Sequence, residues 1–414
     1  MTTNQTGTMT TAAAPPGPRA PLSPRRAWLA LATMFLGSFS LVTAEFLPPG
    51  VLTPVAHDLG VTEGVVGLSV SVTALTALLT ALGLSSLFPR TDRRTLLVVL
   101  ALGAVASNVL VAVAPSIGVL MAARLLLGAA LGGYWSMSLV IATRLVPADR
   151  VGRSMMVVNA GTTVATVAGV PLGVLISAAA GWRVVFWAAA VLTVVTAVAM
   201  RVALPRIAPT PGIGWSSMGR ALRSPGVAVG LVSIVAVIAG HFVGFTYVRP
   251  ALSLLPGSDV GTIAVLLALF GAGGLVGNFA VGAVVDRHLA VLLVAVPVAI
   301  GASVAALGLA VALPALAYPA VIVWGAAFGG VLNVVQVWIT RVLPGQVEAG
   351  SGLVVAGFQT AIILGSAVGG LGVDAIGIGW TYLVAAVVAV AGGLAVRGTL
   401  RTARAARPAA TATA

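Results

Sequence analysis

The sequence predicts an all-α membrane protein, with twelve transmembrane helices arranged as two six-helix pseudo-repeat halves. Three observations carry this reading. First, apolar stretches of about twenty residues recur along nearly the whole chain, each long enough to cross a hydrocarbon layer roughly 30 Å thick as a helix. Of the 414 residues 59% are hydrophobic and 7% charged, with a mean hydropathy of +1.12, and a soluble fold could not cover so apolar a chain. Second, the phrase GAALGGYWSMSLVIATRLVP at 128–147 returns as GAAFGGVLNVVQVWITRVLP at 325–344, an offset of 197 residues. Thr143, Arg144 and Pro147 reappear as Thr340, Arg341 and Pro344, and Arg90 reappears as Arg287, all at that offset. Third, nineteen of the 22 basic residues, every one an arginine, fall on the tails and on alternate loops.

Taken in order, residues 1–27 are rich in Thr, Ala and Pro and read as a disordered tail. A cleaved leader is the rival reading, but the apolar segment that follows is too long and is the first of many. The first half, 28–203, holds spans near 28–55, 64–88, 95–114, 117–141, 154–180 and 184–203. A polar connector at 204–226 carries Pro, Gly and Ser and interrupts the apolar pattern. The second half, 227–397, holds spans near 227–255, 261–285, 290–311, 316–339, 351–376 and 380–396, and a tail follows at 398–414. A Gly-Trp pair at Gly181-Trp182 between spans five and six returns as Gly379-Trp380, one residue further along. Runs this long and continuous exclude alternating barrel strands, and lipid leaves helices as the way to satisfy the backbone.

With arginine concentrated on the tails and on loops after even-numbered spans, the positive-inside rule places both termini in the cytoplasm, in a multi-pass protein of the cytoplasmic membrane. The net charge of +13 is thereby explained without nucleic acid. Arg124, Arg183 and Arg249 escape the pattern. The chain has no cysteine, so disulfides and cysteine-rich metal sites are excluded. It shows no Walker-type loop, no nucleophile–base constellation and no metal-ligand spacing, so no enzyme, no metal and no cofactor is expected. Energy then has to come from an ion gradient.

Two six-helix halves joined by a cytoplasmic connector resemble the major facilitator superfamily. GAVVDRH, with Gly282, Asp286 and Arg287, is similar to the family's signature between spans eight and nine. Its counterpart SSLFPRTDRR keeps Arg90, Arg93 and Arg94 but has Pro89 where the acid is expected, leaving Asp92 to stand in. The resemblance implies conformational gating for Arg90, Asp92, Arg93, Gly282, Asp286 and Arg287. RLLLGAALGG, with Arg124 and Gly128, resembles the span-four motif associated with proton coupling, and GVPLG, with Gly169, Pro171 and Gly173, resembles a shortened antiporter motif in span five. AEFLPPGVLTPVAHDLGVTEGVVGLSV (44–70), GWRVVF (181–186), FTYVRP (245–250) and WITR (338–341) are similar to purine ribonucleoside efflux transporters of the drug:proton antiporter group. Drug and sugar exporters share part of this pattern.

Glu45 is the single acid inside span one, where a charge is costly unless it faces a cavity, is paired or carries protons. At a rise of about 1.5 Å per residue, Arg124 on span four reaches a matching depth. A carboxyl and a guanidinium meeting there form either a proton switch, because parting them changes the carboxyl's proton affinity, or a static clamp. Tyr134, Trp135 and Tyr247 offer faces for a flat base or ordinary packing. Arg249 suits a polar substrate or snorkels to the interface. His241 suits a base, a proton or an interhelical hydrogen bond. Asn333 and Gln336 share one face of span ten, where they line the cavity or make an interhelical hydrogen bond. The expected function is proton-coupled efflux of purine ribonucleosides by a monomer, with small-molecule substrate, protons and the bilayer as partners. Drug or sugar efflux, and a transport-inactive receptor or scaffold, are the alternatives.

Overall fold

A computed structural model describes residues 23–146, 151–208, 215–310, 312–343 and 347–405. The expected tails lie partly outside these residues, as does the middle of the connector. Helix α1 runs Pro24–Leu59, α2 Glu63–Leu87, α3 Arg93–Ala112 and α4 Ile117–Leu145. Span five is α5 (Val151–Val164), a π-helical turn (Ala165–Gly169) and α6 (Val170–Ala180); α7 is Trp182–Ala203. The connector contains a short helix, α8 (Trp215–Leu222), packed against the second half. Span seven is α9 (Val227–Thr246) followed by α10 (Val248–Ser253), broken at Tyr247.

The remaining spans follow with very short joints. Spans eight and nine are α11 (Val260–Leu309), two helices that meet at a kink where His288 leaves helical geometry; span ten is α12 (Ala317–Val342); spans eleven and twelve are α13 (Val347–Ala405), two helices that meet at a kink at Gly377. Among the described residues ten helical segments are long and apolar enough to cross a membrane, and the two longest each hold two helices, giving twelve crossings. Gly377 (φ 80°) has the same left-handed, extended backbone as Gly181 (φ 89°) at the corresponding turn of the first half. The structural partner of Gly181 is therefore Gly377, an offset of 196, rather than Gly379 of the repeated Gly-Trp pair. Only a residue without Cβ adopts that conformation cheaply.

Side chains and backbone carbonyls mark other ends. Gly60 (φ 64°) closes α1, Thr62 caps α2 through the Val65 N–H at 3.2 Å, and Asp92 caps α3 through the Thr95 N–H at 3.1 Å. Asp259 caps α11 through the Thr262 N–H at 2.7 Å, and that bond holds its carboxyl below the ordinary range.

The repeat is visible in atoms. Gly128 and Gly132 of α4 lie against the carbonyls of Thr73 and Ala77 of α2. Gly325 and Gly329 of α12 lie against the carbonyls of Phe270 and Gly274 of α11, so both contacts of the first half recur at an offset of 197. A Cβ at any of them would strike backbone, so these glycines permit close helix–helix approach in each half.

The halves meet at the arginine-poor end. The Thr62 hydroxyl donates to the Asp374 carboxylate at 2.7 Å, Ser71 donates to the Ile363 carbonyl at 3.1 Å and shares a hydrogen bond with Ser366, and the π turn and α6 pack on α11. Tyr247, fully enclosed, donates to the Ser366 carbonyl at 2.8 Å and occupies the space that Gly67 leaves by having no side chain.

Candidate functional site

Helix α1 is the axis of the site, and its sequence AEFLPPGVLTP contains the reason. Pro48, Pro49 and Pro54 lie inside the helix. Each lacks an N–H and so leaves the carbonyl four residues earlier without its helical partner, at about 3 kcal/mol per proline in an ordinary helix. The abandoned carbonyls are those of Ala44, Glu45 and Gly50, and in lipid no water replaces the lost bond. Arginines take all three. The Arg124 guanidinium donates to the Ala44 carbonyl at 3.0 Å and the Glu45 carbonyl at 3.3 Å, and its Nε donates to Thr73 Oγ1 at 3.1 Å. Arg249, from α10, donates to the Gly50 carbonyl. Buried guanidinium and orphan carbonyl each solve the other's desolvation problem.

The third off-pattern arginine also binds α1. Arg183, at the start of α7, pairs with Asp58, stacks over the Trp182 ring at 4.3 Å and donates to the Ala114 carbonyl at 3.0 Å, while Trp182 Nε1 donates to Asp58 at 3.2 Å. All three arginines that the charge rule leaves unexplained thus hold the second half of α1 in place.

This arrangement predicts a rescue. Arg124→Ala strands two buried carbonyls, each worth about 1–3 kcal/mol, and is expected to lower the thermal midpoint in detergent. Adding Pro48→Ala and Pro49→Ala returns the missing N–H donors, and the triple variant is expected to melt above Arg124→Ala alone. Equal midpoints would show that the carbonyls are not what Arg124 serves.

Arg124 directs its donors to two backbone carbonyls and the Thr73 hydroxyl, so the Glu45 carboxyl, although it interacts electrostatically with Arg124, makes no direct ion pair among the described residues. It lines a small cavity at the seam between the halves. The first half contributes Glu45, Ala77 and Ala81 of α2, and Leu131, Gly132 and Trp135 of α4; the second contributes Val355 and Gln359 of α13. Of the residues singled out in the sequence, the cavity brings together Glu45 and Trp135. Gln359 was not among them.

The others lie elsewhere. Tyr134 is fully enclosed and donates to the Met34 carbonyl, fixing α4 on α1. His241 Nδ1 accepts from Trp324 Nε1 at 3.0 Å, so the neutral ring carries its proton on Nε2, which is buried without a partner. A donor-only tryptophan facing Nδ1 leaves no place for a second ring proton while that bond holds. The ring stacks on Phe328 at 3.4 Å and lies among Phe242, Phe245 and Phe270. Tyr247 belongs to the half–half seal, and Arg249 to the Gly50 carbonyl. Asn333 donates to the Asn278 backbone and side-chain oxygens at 2.9 and 3.1 Å, joining α12 to α11, and Gln336 is exposed.

Several of the gating residues bond to their own half or to the connector. Asp92 caps α3 with one oxygen and accepts the Ile207 N–H at 2.8 Å with the other. Arg93 donates to the Phe88 carbonyl at 3.3 Å, and Arg94 donates to the Leu204 carbonyl at the same distance. Arg341 donates to the Asp286 carbonyl; Arg90 and Arg287 are exposed, and Gly282 abuts Asn333. Gly169 and Gly173 pack on Thr43 and Leu47 of α1, and Pro171 begins α6 after the π turn.

The model of the Major Facilitator Superfamily matches residues 34–353. The purine ribonucleoside efflux pump NepI of Salmonella typhimurium is 36% identical over 351 residues, covering 85% of this chain and 88% of the pump. The transcription regulatory protein OpdE of Pseudomonas aeruginosa is 35% identical over 387 residues, covering 92% of this chain and 95% of OpdE. Among solved structures, a bacterial homologue of the human lysosomal transporter Spinster superposes with a TM-score of 0.76 at 16% identity, covering 94% of this chain and 100% of that one. The nucleoside transporter NupG superposes at 0.74 with 13% identity, covering 91% and 99%. These structural likenesses speak to the fold.

Proposed function

The chain belongs to the major facilitator superfamily of membrane transporters, and from that premise we propose that it exports purine ribonucleosides or close analogues in exchange for protons. The observation that carries the reading is the Glu45 carboxyl group: it stands in a cavity between two halves, without a direct ion pair among the described residues, in a chain 36% identical to a purine ribonucleoside efflux pump. The positive-inside rule puts the arginine-rich end and both termini in the cytoplasm of a bacterial inner membrane. The end sealed by Thr62, Asp374 and Tyr247 then faces outward, and substrate loads from inside. Rocking of the two halves exposes the cavity to each side in turn, and a single chain holds the whole path.

OpdE favours a second reading, a membrane regulator on the same fold. Flux separates the two. Purified protein in liposomes is expected to exchange labelled inosine and to accumulate it against a proton gradient, with antibiotics and sugars competing poorly. Competition by an antibiotic or a sugar in place of inosine would move the substrate class, and the absence of gradient-driven flux for every compound would favour the regulator.

A further inference from the structure

Gln359 is the residue through which the second half offers hydrogen-bonding side-chain atoms to the cavity. The other polar or aromatic contributions are the Glu45 carboxylate and the Trp135 indole, both from the first half; Ala77, Ala81, Leu131, Gly132 and Val355 supply apolar wall. Gln359 Nε2 stands 3.5 Å from the Ala74 carbonyl of α2, at the outer limit of a hydrogen bond, and that carbonyl sits within a helix whose ladder already serves it. Its Oε1 makes no hydrogen bond among the described residues. Asn333 and Asn108, by contrast, spend their amides on neighbouring helices at 2.9–3.2 Å. The Gln359 amide is therefore held at the cavity wall with its donor loosely engaged and its acceptor free.

A carboxamide presents one donor and one acceptor in a single plane, the complement of a ring edge with an acceptor beside an N–H. A 6-oxopurine has such an edge, with O6 beside N1–H. Adenine has the same pair in reverse order, N1 beside N6–H, and an amide turned over matches it. The Trp135 ring in the same cavity provides a face on which a flat base can stack. We infer that Gln359 is the specificity-determining residue that reads this edge of a purine base, accepting from N1–H through Oε1 and donating to O6 through Nε2. The inference rests on the nucleoside reading above. Binding replaces the weak contact to Ala74, which crosses between the halves, with a base that spans them.

A site built to pair an N–H rejects the analogue that lacks it, because the partner atom is left unsatisfied. In liposome counterflow of labelled inosine, unlabelled 1-methylinosine is therefore expected to compete about 10–100-fold less well than unlabelled inosine against the wild-type protein. With Gln359→Leu, the two competitors become equal and inosine itself binds more weakly. If Gln359→Leu does not fold, Gln359→Met makes the same comparison, and direct titration of either variant in detergent with inosine and 1-methylinosine reads the same ratio if exchange is lost. A variant that keeps wild-type discrimination overturns the role of Gln359 and leaves nucleoside export standing, as does a wild-type protein that exchanges inosine and does not discriminate. A wild-type protein that exchanges no inosine overturns both.

Discussion

Replacing Arg249 by alanine is expected to open the arginine-poor mouth of the cavity. Arg249 belongs to the second half and Gly50 to the first, so this guanidinium–carbonyl bond must break whenever the halves part at that end. Pro54 creates the acceptor: without an N–H at position 54 the Gly50 carbonyl has no helical partner, and Arg249 supplies one. A hydrogen bond to a charged group is worth about 1.5–3 kcal/mol, so its loss shifts the balance between closed and open roughly 10–100-fold. The chain has no cysteine, which makes the shift easy to read. Ser71, buried in the seam against Ser366, converts to a single reporter as Ser71→Cys. In that background a membrane-impermeant maleimide added outside intact cells is expected to react about tenfold faster or more when Arg249→Ala is present. Pro54→Ala returns an N–H to the Gly50 carbonyl and is expected to reproduce part of the effect, with little added by combining the two changes. Unchanged labelling in Arg249→Ala would remove the latch.

The same three prolines show how far the sequence could be read. The twelve crossings, the two halves and the alternation of arginine were legible because they rest on hydropathy, length and charge, which need no knowledge of side-chain direction. Arg124, Arg183 and Arg249 stood out as exceptions to the charge rule, yet their partners were not recognised. The signal was present: a proline at 48, 49 or 54 names a free carbonyl at 44, 45 or 50, and three free carbonyls in lipid call for donors. What charge-matching suggested was an ion pair between Arg124 and the Glu45 side chain; in this state the guanidinium takes the Glu45 backbone instead. Gln359 was harder to find. Helix α13 is apolar on every side, so periodicity does not say which face meets the cavity, and a lone amide on such a helix has no distinguishing pattern. The hydropathy dips at His288 and Gly377 mark the boundaries between spans, and a dip does not tell whether the chain leaves helical geometry for one residue or several.

The Glu45 carboxyl, near Arg124 but without a direct ion pair among the described residues, is available to a proton, and Glu45→Gln is expected to uncouple transport without abolishing it. Glutamine keeps the length, the planar end and two hydrogen-bonding atoms, so the cavity retains its shape; what is lost is the ability to gain and release a proton. The position 197 residues on, at the start of the second half, is Phe242, so the second half holds no counterpart that could take over the task. Arg124 keeps its three acceptors on Ala44, Glu45 and Thr73, two of them backbone, and the substitution leaves its site intact. A gradient of one pH unit carries about 1.4 kcal/mol per proton, enough for roughly tenfold accumulation of substrate with one proton exchanged. In liposomes Glu45→Gln is expected to lose that tenfold, reaching the level seen when the gradient is collapsed, while exchange of labelled for unlabelled inosine continues. Glu45→Asp, which retains a carboxyl, is expected to keep part of the accumulation. Undiminished accumulation by Glu45→Gln would mean that protons are carried elsewhere, and loss of both accumulation and exchange would assign Glu45 to substrate binding or to the fold rather than to coupling.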